Sequence, residues 1–212
     1  MKGIFLVILL LPLCAFNSGE KFLSKIDLYQ KDSYFKDKVF AEHDWKSFYK
    51  LKEVTTVIDI DRYDLHLMNA AIFFATNQLR ETKGFKVLKF SSGLRDAAMI
   101  HSWQMVEKNF FNHFNSYNAA LRSPDKRIKI CGIEPNACAE NIDMNFIGVD
   151  SNSTYLSIAQ KIVEDLYESP PHRKNMLSKG YAYLGCGAML EPKDKNGVHY
   201  IKATQDFSAV SN

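Results

Sequence analysis

The sequence predicts an α+β fold, with helices packed on a mainly antiparallel sheet. Three observations carry that prediction. Apolar residues recur at helical spacing from Asp64 onward, the pattern changes to strand-like runs after Tyr181, and the pair Pro170-Pro171 separates a long helical pattern from a short one.

In the first helical segment Leu65, Met68, Ile72, Ala75 and Leu79 share one face. Asp64 can cap its start, and Gly84 ends it. "FKVLKF" then reads as extended. Ser91 or Ser92 caps a second helix that lines up Leu94, Ala98, His101 and Met105. Residues 109–153 read as loop, with two cysteines, two prolines and several Asn and Asp. A third helix is expected over Tyr155–Glu168, with Tyr155, Ala159, Ile162 and Leu166 inward. Pro disfavours helical backbone in the residue before it, yet suits the first turn of a new helix. In "ESPPHRKNML" the chain should therefore break at Ser169 and restart, holding His172 in the first turn of a short helix that ends by Gly180.

"YAYLGCGAML" and "VHYIKATQDFS" read as two strands joined by "EPKDKNG", whose Asn196-Gly197 is a hairpin signal. Gly185 and Gly187 alternate and leave one strand face bare, so that a helix or another backbone can approach closely. Residues 20–63 are charged and aromatic by turns. They read as an extension packed onto the main domain, with "VTTVIDI" as a short strand.

With 212 residues the chain fits one domain of residues 64–212 plus that extension. A formal charge of +3, dispersed along the chain, gives no footprint for nucleic acid. Residues 1–19 read as an export signal, with an apolar run from Ile4 to Leu13 too short to span a bilayer. Cleavage just after Ala15 gives a secreted or periplasmic protein; lipidation at Cys14 would instead anchor it to the cell envelope. No later segment reaches transmembrane length. Of the remaining cysteines, Cys131 and Cys138 can close a short disulfide loop, or Cys138 can pair with Cys186. If Cys186 is unpaired, it serves as a small buried hydrophobe. Cys131 and Cys138 lack a second Cys/His pair nearby, which favours a disulfide over zinc.

Three short motifs carry the chemistry: "NFFNHF" after the second helix, "CAENI" in the long loop, and "ESPPHRKNML". Together with "LRDAAMIHSWQM" and "LGCGAML…TQDFS", and in this order, they resemble the CAP superfamily of cysteine-rich secretory, antigen 5 and pathogenesis-related 1 proteins. The similarity is to its bacterial SCP-like extracellular members and runs from about Asp64 to Ser208. It implies a three-layer α-β-α sandwich. It also implies a cleft that in many members holds two histidines and two acidic residues able to bind a divalent metal. By position, His113 and His172 match the histidines and Glu140 one acidic residue. Glu168 is nearest to the second, with Ser169 and Glu164 as alignment alternatives. Leu166 stands where bacterial relatives usually carry tryptophan, and Pro171 where they carry glycine.

Two imidazoles and a carboxylate suit Zn²⁺ or another divalent metal, which can simply bind or can polarise water, with Glu140 as candidate base. The same groups can equally form a buried hydrogen-bond network that only fixes loop geometry. The resemblance implies an exported binding module whose partner is an extracellular protein, a small ligand or a lipid. A metal-dependent hydrolase and a lipid-sequestering protein are the alternatives. His101 shares an apolar helix face and reads as a core histidine. Asn141 and Asn175 read as residues that fasten loops.

Overall fold

A computed structural model gives the fold and describes residues 19–26, 32–147, 152–192 and 198–211. Four short helices come first: α1 (Glu20–Leu23), α2 (Lys38–Glu42), α3 (Trp45–Phe48) and α4 (Lys52–Thr55). Then follow α5 (Leu65–Thr82), β1 (Lys89–Phe90), α6 (Ser92–Glu107), α7 (Pro124–Ile130) and β2 (Cys138–Ile147). The chain continues through α8 (Tyr155–Glu168), α9 (Pro170–Met176), β3 (Tyr183–Leu190) and β4 (His199–Ser208).

The helix ends follow local chemistry. Asp64 accepts hydrogen bonds from the backbone N–H groups of His66 and Leu67, and Ser91 accepts from that of Leu94. Thr154 and Ser157 form a reciprocal capping box at the start of α8. Gly84, at φ +77°, takes the left-handed conformation that ends α5.

The strands order as β1–β3–β4–β2. β3 and β2 each pair antiparallel with β4, whereas β1 runs parallel to β3, so the sheet is mixed. Residue parity assigns the two faces. Gly185 and Gly187 lie against α6, and their cross-strand partners Asp206 and Thr204 share that face with Glu140 and Ile142. On the opposite face Gln205 donates to Thr76 of α5 and Asn145 donates to Asp165 of α8. Helices thus cover both faces, which gives the α-β-α sandwich. β2 is the outer strand beside β4, and α7 and α9 approach it from either side.

Two sequence expectations are corrected. "VTTVIDI" is not a strand. Val54 is in α4, Val57 makes a single bridge to Thr154, and Asp59 caps a 3-10 turn at Ile60–Arg62. Ile58 donates its N–H to the Ser153 carbonyl, and Val54 and Ile58 are buried in the core. Nor are residues 109–153 all loop, since they contain α7 and the ten-residue β2. β2 escapes a periodicity reading because its buried positions include Glu140, Asn141 and Asn145, while Met144 and Phe146 are exposed. "FKVLKF" contributes only Lys89 and Phe90 to the sheet. The hairpin turn at Asn196-Gly197, the export signal and Cys14 lie outside the described residues.

Residues 32–63 pack on the domain through aromatic contacts. Phe40 stacks on Phe90 at 3.7 Å between ring centroids, Phe48 stacks on Phe74 at 4.3 Å, and Trp45 Nε1 donates to Glu81.

The bare face of β3 is a hard steric requirement. A Cβ on Gly187 would sit 2.4 Å from both the Ala98 carbonyl carbon and the Met99 nitrogen, in backbone that cannot rotate away. Gly187→Ala should cost about 3 kcal/mol or more in urea unfolding. Gly180→Ala, whose Cβ would meet only Ser178 Oγ at 3.4 Å, should change stability by less than about 0.5 kcal/mol.

Candidate functional site

Glu140 is the centre of the site. It lies near the start of β2 with its side chain 1% exposed, and three cationic or imidazole groups reach it from different elements. Arg127 of α7, fully buried, donates Nη2–H to Glu140 Oε2 at 2.5 Å. His113, in the loop after α6, lies with Nδ1 2.8 Å from Glu140 Oε1. His101 of α6 places Nε2 3.7 Å from the same oxygen. Burial by itself would raise the Glu140 carboxyl. The His101, His113 and Arg127 groups outweigh it and hold the carboxyl below its ordinary range. An ionised carboxylate only accepts hydrogen bonds, so His113 carries its proton on Nδ1 and turns Nε2 outward.

Arg127 also ties the surrounding loop. It donates to the carbonyls of Leu121 and His113, so one guanidinium fixes the backbone that carries His113 as well as the carboxylate that orients its ring.

His172 arrives from the other side of β2. Ser169 is extended at φ −83° and ψ 115°, and Pro170 and Pro171 open α9, so the break predicted from the sequence is present. Arg80 of α5 clamps the far end of α9 by donating to the carbonyls of Met176 and Ser178. Asn141 donates to the His172 carbonyl and to Gln205 Oε1, and Asn175 donates to Asn141 Oδ1. These two asparagines fasten loop and helix as expected. The His113 and His172 rings then face each other with centroids 6.3 Å apart. His172 is half-buried, and burial followed by the charge of His113 pushes its ring below the usual imidazole value.

Of the residues singled out in the sequence, His113, Glu140 and His172 therefore converge. Glu168 does not join them. It is exposed and borders a groove between α5 and α8, beside Gln78, Leu79, Lys83 and Tyr167. Glu164 borders the same groove, and Ser169 is the N-cap of α9. Leu166 is a core residue, 2% exposed. Cys131, Cys138 and Cys186 are free thiols, so neither expected disulfide is present. His101 is in the core as predicted, fully buried. Desolvation lowers its pKa to about 4.

Two members of the site escaped the sequence reading. Arg127 sits in "DKRIKI", which looks like an ordinary charged helix. Asp206 sits in "TQDFS", directly across from Glu140 in the β2–β4 ladder and wholly buried. The one available signal was an acidic residue inside an otherwise buried strand.

The pairing of Arg127 with Glu140 has a measurable consequence. Arg127→Met leaves Glu140 buried without its counter-ion and should destabilise by about 3–5 kcal/mol. The double variant Arg127→Met/Glu140→Leu removes both charges and should recover part of that loss in the same urea titration.

A sequence model of the cysteine-rich secretory protein (CAP) family matches residues 73–207, more than half the chain. Two curated relatives come from Bacillus subtilis (strain 168) and carry the names "Uncharacterized protein YkwD" and "Uncharacterized membrane protein YlbC". They are 28% and 27% identical over 112 residues, or 53% of this chain. The alignment spans only 38% and 29% of their own lengths. Among solved structures, an extracellular protein containing a SCP domain from Bacillus anthracis str. Ames matches with a TM-score of 0.53 and 22% identity. That match covers 72% of this chain and 44% of the other. An outer surface protein from Borrelia burgdorferi matches with a TM-score of 0.50 and 14% identity, covering 73% of this chain and 98% of the other. The fold agrees with both structures, and the chain belongs to the CAP family.

Proposed function

We propose that this is an exported binding module whose ligand-contacting centre is the cleft between His113 and His172. The observation that carries this reading is that both Glu140 oxygens are engaged within the protein. One carboxylate oxygen accepts from Arg127 and the other from His113, so the residue best placed to serve as a general base has both oxygens hydrogen-bonded and a side chain only 1% exposed. Export rests on the N-terminal sequence and on the extracellular SCP-domain protein of similar fold. No helix among the described residues is long and apolar enough to cross a membrane.

A resident divalent metal does not fit the donor set. Among the described residues no three His, Cys, Asp or Glu side chains group as a metal site would need. With Glu140 taken up, the cleft supplies two imidazoles, fewer than the three protein ligands usual for a catalytic zinc. Calorimetric titration of the mature chain with Zn²⁺ is expected to give no stoichiometric site tighter than about 1 μM. Chromogenic ester, peptide and phosphodiester substrates, with or without Zn²⁺, are expected to show no turnover above buffer. Stoichiometric zinc lost in both His113→Ala and His172→Ala, with turnover lost in Glu140→Gln, would replace this reading by the metal-dependent hydrolase.

A second reading, lipid sequestration, is favoured by the groove between α5 and α8. It is an open groove of about 670 Å³, with Ala75, Leu79, Val163 and Tyr167 as apolar wall and Lys83 and Lys161 among its polar residues. That volume suits a fatty acyl chain, with an ammonium available for its carboxylate. A fluorescent fatty acid should be displaced by palmitate from the wild type, and Leu79→Trp, which fills the groove, should weaken binding at least tenfold. Unchanged binding in Leu79→Trp would remove the groove from consideration.

A further inference from the structure

The charge balance around Glu140 remains incomplete until Asp206 is considered. Glu140 and Asp206 are directly opposed in the antiparallel ladder, so their side chains leave the sheet on the same face with neighbouring Cβ atoms. Both are excluded from water, and α6 seals that face by packing its backbone against Gly185, the other cross-strand neighbour of Asp206. Glu140 has two hydrogen-bond donors, whereas no donor is directed at either Asp206 oxygen.

The groups around Asp206 offer it no cation of its own. β2 brings Glu140 and Cys138, and β3 brings Cys186. Arg127 comes from α7, with Cys131 just beyond that helix; His101 from α6 stands on the far side of Glu140. Burial raises all three thiols, so they stay uncharged, and His101 is neutral above about pH 4. Arg95 of α6 is held by Asp37 and Asp96, so among the described residues Arg127 is the one fixed positive charge acting on Asp206, and it is bonded to Glu140. Two carboxylates facing each other in a dry site with a single cation cannot both ionise; one must keep its proton.

We propose that Asp206 is carried as the neutral acid and donates its O–H to Glu140, making it a positioning residue that holds Glu140 turned toward His113. Glu140 then accepts from three donors on three elements: Asp206 of β4, Arg127 of α7 and His113 of the loop. This leaves its lone pairs nearly filled. The His113 ring is thereby kept in its Nδ1–H tautomer, with Nε2 presented toward His172. Burial, followed by the Glu140 charge, pushes the Asp206 carboxyl well above its ordinary range, in agreement with this geometry. This deepens the reading of the His113–His172 cleft as the binding centre. It is tested without any ligand, so either can fail alone.

The experiment uses the isotope-labelled mature chain. The Asp206 carboxyl carbon should keep the NMR shift of a protonated acid from pH 5 to pH 8. An unfolded aspartate titrates near pH 4, so folding takes up one proton above that value, and stability is lost as pH rises. Asp206→Asn removes that uptake while keeping an N–H donor for Glu140. Its folding constant relative to wild type should therefore grow about tenfold per pH unit above about pH 5. The downfield Nδ1–H resonance of His113 should persist in Asp206→Asn and vanish in Asp206→Ala. A carboxyl shift that titrates near pH 4, or parallel stability profiles for wild type and Asp206→Asn, would overturn the neutral acid. An unchanged Nδ1–H resonance in Asp206→Ala would overturn the positioning role. Should Asp206→Ala fail to fold, the wild-type carboxyl shift and the Asp206→Asn profile decide the proposal.

Discussion

The buried pair of Arg127 and Glu140 is the constraint on which the rest of the site depends. Desolvating a guanidinium and a carboxylate is expensive, and their attraction offsets that cost only when every remaining donor and acceptor is satisfied. The fold meets most of this demand with backbone. The Leu121 and His113 carbonyls accept from Arg127, and His113 takes the second carboxylate oxygen. The same bonds that make the pair tolerable fix the loop after α6. His113 is therefore held by a network whose members lie on α7, β2 and the loop, and no single element could position it.

The sheet order explains why the cleft forms where it does. β2 is an outer strand, so elements from both layers can reach its start without crossing another strand. α6 is drawn onto the sheet by the bare face at Gly185 and Gly187, bringing His101 and the following loop to one side. α8 and α9 lie on the other side, where Asn141 and Asn175 bind the turn that bears His172. The two imidazoles meet across the strand edge because each layer supplies one. Pro170 and Pro171 stiffen the second of these approaches, since their fixed φ angles leave the start of α9 little freedom.

The two regions proposed for binding differ in character. The cleft is bounded by two imidazole rings 6.3 Å apart, with the Glu140 side chain buried behind His113. The groove between α5 and α8 has an apolar wall of Ala75, Leu79, Val163 and Tyr167, with charged side chains around it. The residues expected to complete the cleft from the third helix, Glu164 and Glu168, belong to the groove instead. They follow helical periodicity onto the outer face of α8, whereas Ile162 and Leu166 take the inner face. The acidic group that does stand beside Glu140 comes from β4.

Much of the fold was legible in the sequence because it rests on local rules. Asp64, Ser91 and Gly84 bound their helices through capping and left-handed backbone. Tyr155–Glu168 follows from its apolar spacing, and the alternating glycines of β3 announced a close helix. The motif residues His113, Glu140 and His172 were legible through family resemblance. What the tertiary structure alone decided was the partnership of groups distant in sequence. β2 could not be read because its buried positions are polar on both faces, where Glu140 needs Arg127 on one side and Asn141 and Asn145 need Gln205 and Asp165 on the other. Arg127 carries no periodic or motif signal of its own, and Asp206 lies within "TQDFS" without any signal of its role there. Their roles exist only where α7 and β4 bring them to Glu140, because a charge can be buried only when its counter-charge and hydrogen-bond partners are buried with it.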